Sequence, residues 1–177
     1  WRGTLELDGG ALMNQASHYV DLLSWFFGSV KSVNAISSKS LKIEAEDTIV
    51  LNIEFQNGAI GTMNVSMLAY DKNFEGSITI LGEKGLVRVG GLAVNKIEHW
   101  QFEDYLPNDK IIMDANYNID NIYGKGHSKF YEQMYEAMNN KNVEITYGEH
   151  GLKSLEIILA AYKSVEFKKT IDLPIKF

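Results

Sequence analysis

Glu46-Asp47-Thr48-Ile49-Val50-Leu51-Asn52-Ile53-Glu54-Phe55-Gln56-Asn57-Gly58-Ala59-Ile60-Gly61-Thr62-Met63-Asn64-Val65-Ser66-Met67-Leu68 decides how this chain folds. Ile49, Leu51, Ile53 and Phe55 alternate with Thr48, Val50, Asn52 and Glu54, the period of a strand with one buried face. Gln56 to Ala59 reads as a hairpin turn, with Asn57-Gly58 supplying positive φ at little cost. The return strand, Ile60 to Leu68, sets Met63, Val65 and Met67 against Asn64, Ser66 and Leu68. A hairpin of this kind commits the sheet to antiparallel pairing.

The flanking sequence extends that sheet. Val30 to Ser37 reads as a strand, as do Phe74 to Leu81 and Leu86 to Val89, with Gly82-Glu83-Lys84-Gly85 turning between the last two. Val94 to Phe102 is a further strand. Residues 1 to 8 alternate in part and read as extended. Residues 103 to 125 hold Pro107 and several Asn and Asp residues, an irregular connection with room for one short strand. From His127 the period becomes about 3.6. Phe130, Met134 and Met138 mark a helix ending at Asn139-Asn140, and Leu152, Leu155, Ile158, Leu159, Tyr162 and Val165 mark another. A short strand near Thr170 to Leu173 follows.

One helix, a run of hairpin-linked strands and two helices predict an α+β domain over residues 1–177: a mostly antiparallel open sheet with helices on one face. Apolar residues on the outer face, Val50 and Leu68 among them, point to a second subunit covering it. Scattered exposed aliphatics are also ordinary on a monomer.

The bulk properties narrow the function. The chain has 177 residues, 45% hydrophobic and 23% charged, ordinary for a globular domain. Its net charge is −6 and its 17 basic residues are scattered, which argues against a nucleic-acid backbone as partner. No apolar run reaches the roughly 18 to 20 residues that span a bilayer, and no signal pattern opens the chain. The absence of cysteine removes disulfides and thiolate metal sites and fits a cytoplasmic location. The chain starts at Trp1-Arg2-Gly3-Thr4, which reads as the middle of a longer protein.

Gly9-Gly10 feed a helix that stops at Gly28, a candidate left-handed cap. Asn14, His18 and Leu22 are four apart, and Trp25 follows three later, so they share a face; Asp21 adjoins it. An imidazole between an amide and a carboxylate can hold a reacting hydroxyl. The same pattern fits a structural helix with a satisfied histidine. Tyr123-Gly124-Lys125-Gly126-His127 leads into the next helix, where free N–H groups, the helix dipole and Lys125 suit an anion such as phosphate or carboxylate; an ordinary flexible lead-in reads the same way. His99 and His150 read as structural and solvated. No tight His pair supports a metal site. A G-x-G-x-x-G dinucleotide fingerprint and a G-x-S-x-G elbow are both missing.

Two segments together carry a resemblance. Trp1-Arg2-Gly3-Thr4 with Asp8-Gly9-Gly10-Ala11-Leu12-Met13-Asn14-Gln15-x-x-His18-x-x-Asp21-Leu22-Leu23-x-Trp25-x-x-Gly28, and Gly126-His127-x-x-Phe130-Tyr131 through Lys163-Ser164, resemble the C-terminal domain of the Gfo/Idh/MocA family of NAD(P)-dependent oxidoreductases. Within the family the chain is most similar to nucleotide-sugar dehydrogenases. Where the family's pattern is Asp-x-Gly-x-His-x-x-Asp, Asn14 replaces the first Asp and Ala16 the Gly, while His18 and Asp21 match. An amide at 14 can hold a sugar hydroxyl but cannot take its proton.

The resemblance implies a substrate-binding and oligomerisation domain that has lost an N-terminal Rossmann domain, the part that binds NAD or NADP and carries a catalytic Lys. It implies a sugar or nucleotide-sugar substrate oxidised at a ring hydroxyl, and a homodimer or homotetramer formed through the sheet face. His18, Asn14 and Asp21 would be the catalytic set, with Asp21 behind the imidazole. Gln15, Arg2, Lys125 and His127 would bind substrate. The fragment alone would be inactive. A stand-alone binding or dimerisation module, or an inositol or free-sugar dehydrogenase domain, fits the same residues.

Overall fold

The computed structural model describes residues 3–118, 126–139, 142–143 and 145–176. The chain divides into two compact units, Trp1–Leu68 with Thr146–Phe177, and Ala69–Ile145. The α+β class and the antiparallel pairing stand, with one refinement. The strands form a four-stranded and a three-stranded sheet, one in each unit.

In the first unit a wide π-helical turn, Ala11–Gln15, leads into helix α1, Ser17–Phe27. Strands β1 (Val30–Ser38), β2 (Thr48–Phe55) and β3 (Ile60–Ser66) follow. In the second unit come β4 (Ile78–Gly82), β5 (Gly85–Gly90), β6 (Lys96–Phe102), the short helix α2 (Asp109–Met113) and α3 (Gly126–Met138). Helix α4 (Gly148–Phe167) and β7 (Ile171–Asp172) return to the first unit.

The hairpin is as the alternation predicts. Ala35, Leu51 and Met63 are directly opposed across β1, β2 and β3, and all three are buried. Ile49, Leu51, Ile53 and Phe55 point into the same core. Leu12, Val20, Ile157, Ile158, Ala160 and Ala161 cover them from α1, the preceding turn and α4. Burying one such Leu, Ile or Phe contributes about 1.5–3 kcal/mol. The apolar stripe of α4 therefore explains why this helix lies against β1 rather than in solvent.

The opposite face of the same sheet is bare. Ile36, Val50 and Asn64 form one cross-strand row and Asn34, Asn52 and Thr62 the next. Ile36 is 73% exposed and Ile60 84%. These two rows carry no charge, although Glu54 at the end of the same face of β2 pairs with Lys31.

Some expectations need correction. Residues 3–8 are turns, not extended: Gly3 N–H donates to Asp8 Oδ2 at 2.6 Å, and Asp8 N–H to the Thr4 carbonyl. The strand expected from Phe74 starts at Ile78. Within 103–125 the described element is the helix α2, not a strand. Asp109 in its first turn accepts from the Leu106 N–H and from Trp100 Nε1, so one buried carboxylate starts the helix and anchors it to β6. In the second unit Arg88 of β5 bridges Glu98 of β6, Glu75 and Thr79.

Candidate functional site

The stretch from Asp8 to Asp21 is not one continuous helix. The wide turn ends at Ala16 (φ −117°, ψ 2°), and α1 starts at Ser17. The four-residue spacing from Asn14 to His18 thus crosses a break, and the shared helical face predicted for them starts only at His18. The cause lies at the turn's N-terminus, where distant residues hold the backbone. Ala11 N–H donates to the Glu46 carbonyl at 2.9 Å and Leu12 N–H to Glu46 Oε1 at 3.0 Å. Tyr162 Oη accepts from Gly10 N–H at 3.4 Å and Met13 N–H at 3.2 Å, and donates to Glu46 Oε1 at 3.1 Å. The donors a helix start leaves open are filled by a loop and by α4.

Both glycines are needed. Gly9 has φ +68°, and a Cβ at Gly10 would lie 1.6 Å from Glu46 Oε2. The Glu46 carboxylate occupies the place a phosphate takes in a glycine-rich nucleotide loop, so this loop is no dinucleotide cradle. Asp47 anchors the loop behind it. Fully buried, its Oδ2 accepts from Ser40 N–H at 2.5 Å and Leu41 N–H at 2.6 Å. The Leu41 N–H foremost, with Ser40 and Thr48, holds this carboxyl below its usual range against the opposing effect of burial.

On the solvent side of the turn the polar groups form a row. Asn14 Nδ2 donates to Asp8 Oδ1 at 2.5 Å, and Gln15 Nε2 donates to Asn14 Oδ1 at 2.6 Å. The Asn14 and Gln15 side chains are exposed. Chains of amides ending on a carboxylate polarise one another, leaving Gln15 Oε1 as the open acceptor.

His18 follows in the first turn of α1. Its ring centroid is 5.2 Å from that of Tyr19, tilted by 39°. The imidazole is exposed on one side, yet partial burial of the ring still lowers its pKa. That shift favours the neutral imidazole, the form that can accept a proton. Asp21 Oδ1 accepts from Ser154 Oγ at 2.7 Å and so ties α1 to α4. Three residues along the helix, Asp21 turns toward α4, where Ser154 offers a hydroxyl. Trp25 is exposed, its ring 5.0 Å from Phe26. Gly28 ends α1 with φ 81° and ψ −150°, outside the left-handed helical region expected of it.

His127 is exposed in the first turn of α3, in the second unit. Arg2 and Lys125 lie outside the described residues. Among the described residues no group of three or more His, Cys, Asp or Glu is arranged to hold a metal ion, and no helix is long and apolar enough to cross a membrane. The structure thus joins Asn14 and Gln15 to Asp8 in one exposed row, leaves His18 in the next element, and adds Glu46, Tyr162 and Ser154 as partners of the turn and of α1. Tyr162 had one visible signal, a phenol in the apolar run Ile158-Leu159-Ala160-Ala161. Glu46 had none, being one acid of a pair at the start of a strand.

The family model described as "Oxidoreductase family, C-terminal alpha/beta domain" of the Gfo/Idh/MocA group matches residues 1–173. The chain superposes on the WlbA dehydrogenase from Bordetella pertussis, solved in complex with NADH and UDP-GlcNAcA, with a TM-score of 0.93 and 48% identity, over 99% of this chain and 51% of that one. The WlbA dehydrogenase from Chromobacterium violaceum, in complex with the same two molecules, gives a TM-score of 0.91 and 49% identity, over 100% and 50%. Levoglucosan dehydrogenase, with a TM-score of 0.70 but 18% identity over 95% and 51%, shares the fold. No curated protein sequence matches. The chain spans about half the length of these solved chains.

Proposed function

This chain belongs to the C-terminal α/β domain family of the Gfo/Idh/MocA oxidoreductases, and on that premise we propose that it is the substrate-binding domain of an NAD-dependent dehydrogenase acting on a nucleotide sugar. Near-half identity over the whole chain to two dehydrogenases crystallised with NADH and UDP-GlcNAcA supports this substrate class. The observation that carries the reading is the exposed hydrogen-bonded row of Asp8, Asn14 and Gln15, followed at the start of α1 by His18, whose pKa burial lowers.

Oxidation of a ring hydroxyl to a ketone releases one proton from oxygen. His18, uncharged at pH 7, takes it in this proposal. Asn14 and Gln15 hold the hydroxyl or its neighbours, and Asp21 serves by fixing α1 against Ser154. His127, in the first turn of α3, is proposed to meet an anionic group of the substrate, as are Lys125 and Arg2, which lie outside the described residues. A nicotinamide, when bound, supplies the hydride acceptor. The described residues here do not fit a dinucleotide, the glycine loop being filled by Glu46, so the cofactor belongs to a further nucleotide-binding domain. A cytoplasmic location goes with this reading, since a chain without cysteines needs no oxidising compartment.

The bare sheet face is proposed as the contact between subunits in a homodimer or homotetramer. Cross-strand rows of Ile36, Val50 and Asn64 suit a flat, self-complementary interface.

The test joins this chain to its nucleotide-binding domain and follows NADH formation with UDP-N-acetylglucosaminuronate, free N-acetylglucosamine and inositol. Turnover confined to the nucleotide sugar is expected. Preference for inositol or the free sugar refutes the substrate class. No turnover with any of the three favours a stand-alone binding module.

A further inference from the structure

Four consecutive N–H groups, of Gly10, Ala11, Leu12 and Met13, all end on two residues from far along the chain. Glu46 takes Ala11 through its carbonyl and Leu12 through Oε1; Tyr162 takes Gly10 and Met13 through one oxygen and returns its own proton to Glu46. Neither side chain has a polar proton left over for a substrate. Tyr162 is half-buried on α4, and burial first, then the neighbouring Glu46 charge, push its pKa up to about 12. It therefore stays protonated and keeps donating across the working pH range.

We propose that Glu46 and Tyr162 are positioning residues, which hold the turn Ala11–Gln15 at its wide pitch and thereby place Asn14 and Gln15 for the substrate. An α-helical turn would bring the chain round in 3.6 residues, and a π turn takes more, with i→i+5 bonding. Changing that pitch rotates every side chain beyond it. Asn14 and Gln15 are the last two members of the turn, so they move most. The two clamps are themselves fixed. Tyr162 stands on α4, whose neighbours Ala160 and Ala161 are buried in the core, and Glu46 precedes the buried Asp47 that anchors its loop. The space is filled as well, since the Glu46 carboxylate leaves no room for any Cβ at Gly10. The four donors that a helix start leaves open are here matched in sequence by two residues bonded to each other, so loss of the Tyr162 hydroxyl frees two of them.

This inference rests on the dehydrogenase reading, and its test separates the two. In the dehydrogenase formed with the nucleotide-binding domain, Tyr162→Phe is expected to lower kcat about 10- to 100-fold, the usual effect of a misplacement near 1 Å. In the chain by itself, amide exchange followed by NMR should quicken at Gly10 and Met13 while Val20 stays protected. Faster exchange with unchanged kcat and KM overturns the proposal, because the pair is then a structural cap. Unchanged exchange overturns it too. If Tyr162→Phe does not fold, Glu46→Gln carries the test: it keeps shape and an acceptor oxygen, and should lower kcat less than Glu46→Ala at equal melting temperature. Equal kcat and KM in both Glu46 variants and the parent overturns the proposal. A parent enzyme without turnover refutes the dehydrogenase reading instead, and the exchange data then still report whether the pair holds the turn.

Discussion

Ser164 of α4 and Ala35 of β1 are joined through a side chain: the fully buried Ser164 Oγ accepts the Ala35 N–H at 2.9 Å. The same hydroxyl donates to the Lys169 carbonyl at 2.6 Å, just past the helix end. One small side chain thus satisfies a strand donor and a helix-terminal acceptor in the core. Ser164→Ala leaves both without a partner. Urea unfolding should show a loss of about 1–3 kcal/mol, and a loss below about half a kcal/mol would mean that water replaces the hydroxyl.

His18 stands on the surface of its unit, so removing it should spare the fold. In the dehydrogenase, His18→Ala should lower kcat/KM by about 10²- to 10⁴-fold, the usual contribution of a positioned base. Burial lowers the His18 pKa from its ordinary value near 6.5. The base must be neutral, so activity should rise with pH through an apparent pKa below 6.5, and the variant should lose that limb. A profile identical in shape for parent and variant removes the base role from His18.

Asp47 makes stability pH-dependent with a definite sign. Its folded pKa lies below the unfolded one because Leu41, Ser40 and Thr48 donate to the charged form. Its contribution is therefore complete above the usual carboxylate range and fades as pH falls through the lowered folded value. Asp47→Asn should lower the urea midpoint at pH 7, and the gap to the parent should close at the acid end. A gap constant with pH shows that the charge contributes nothing.

The outer sheet face predicts an association state. Val50→Lys puts a charge in the centre of the Ile36–Val50–Asn64 row, where facing copies of the row would repel. Light scattering after size exclusion should show a dimer or tetramer for the parent chain and a monomer for the variant. A parent that is monomeric at all concentrations removes this face as the subunit contact.

The strands were legible because alternation is local. Ile49 to Phe55 carries its own period, and Asn57-Gly58 names its own turn. The same holds for α4, whose stripe from Leu152 to Val165 spans nearly its whole length. What escaped detection depends on long separations. The wide turn at Ala11–Gln15 looks helical from its own residues, and the Glu46 and Tyr162 that bond its N–H groups lie 34 and 149 positions from their partners Leu12 and Met13. The bond from Ser154 to Asp21 escaped for the same reason, the two being 133 residues apart. The helix α2 was missed because one buried acid, Asp109, starts it in a sequence otherwise full of turn formers. Of the candidate site residues drawn from the motif, Asn14 and Gln15 are hydrogen-bonded to each other, and His18 follows them past the break at Ala16. The residues that shape the motif leave no local pattern.

The first unit is assembled from the two flanks of the chain, with the second unit inserted between them. On a ribosome this imposes an order. Residues 10–13 emerge early, but their hydrogen-bond partner at 162 arrives about 150 residues afterwards. Until α4 is made, β1 and β2 have only the turn and α1 as an apolar lid, and the turn bearing Asn14 and Gln15 has half its clamp. The turn bearing Asn14 and Gln15 is then completed late, and a chaperone that shields β1, β2 and β3 during synthesis would protect the unit through that interval.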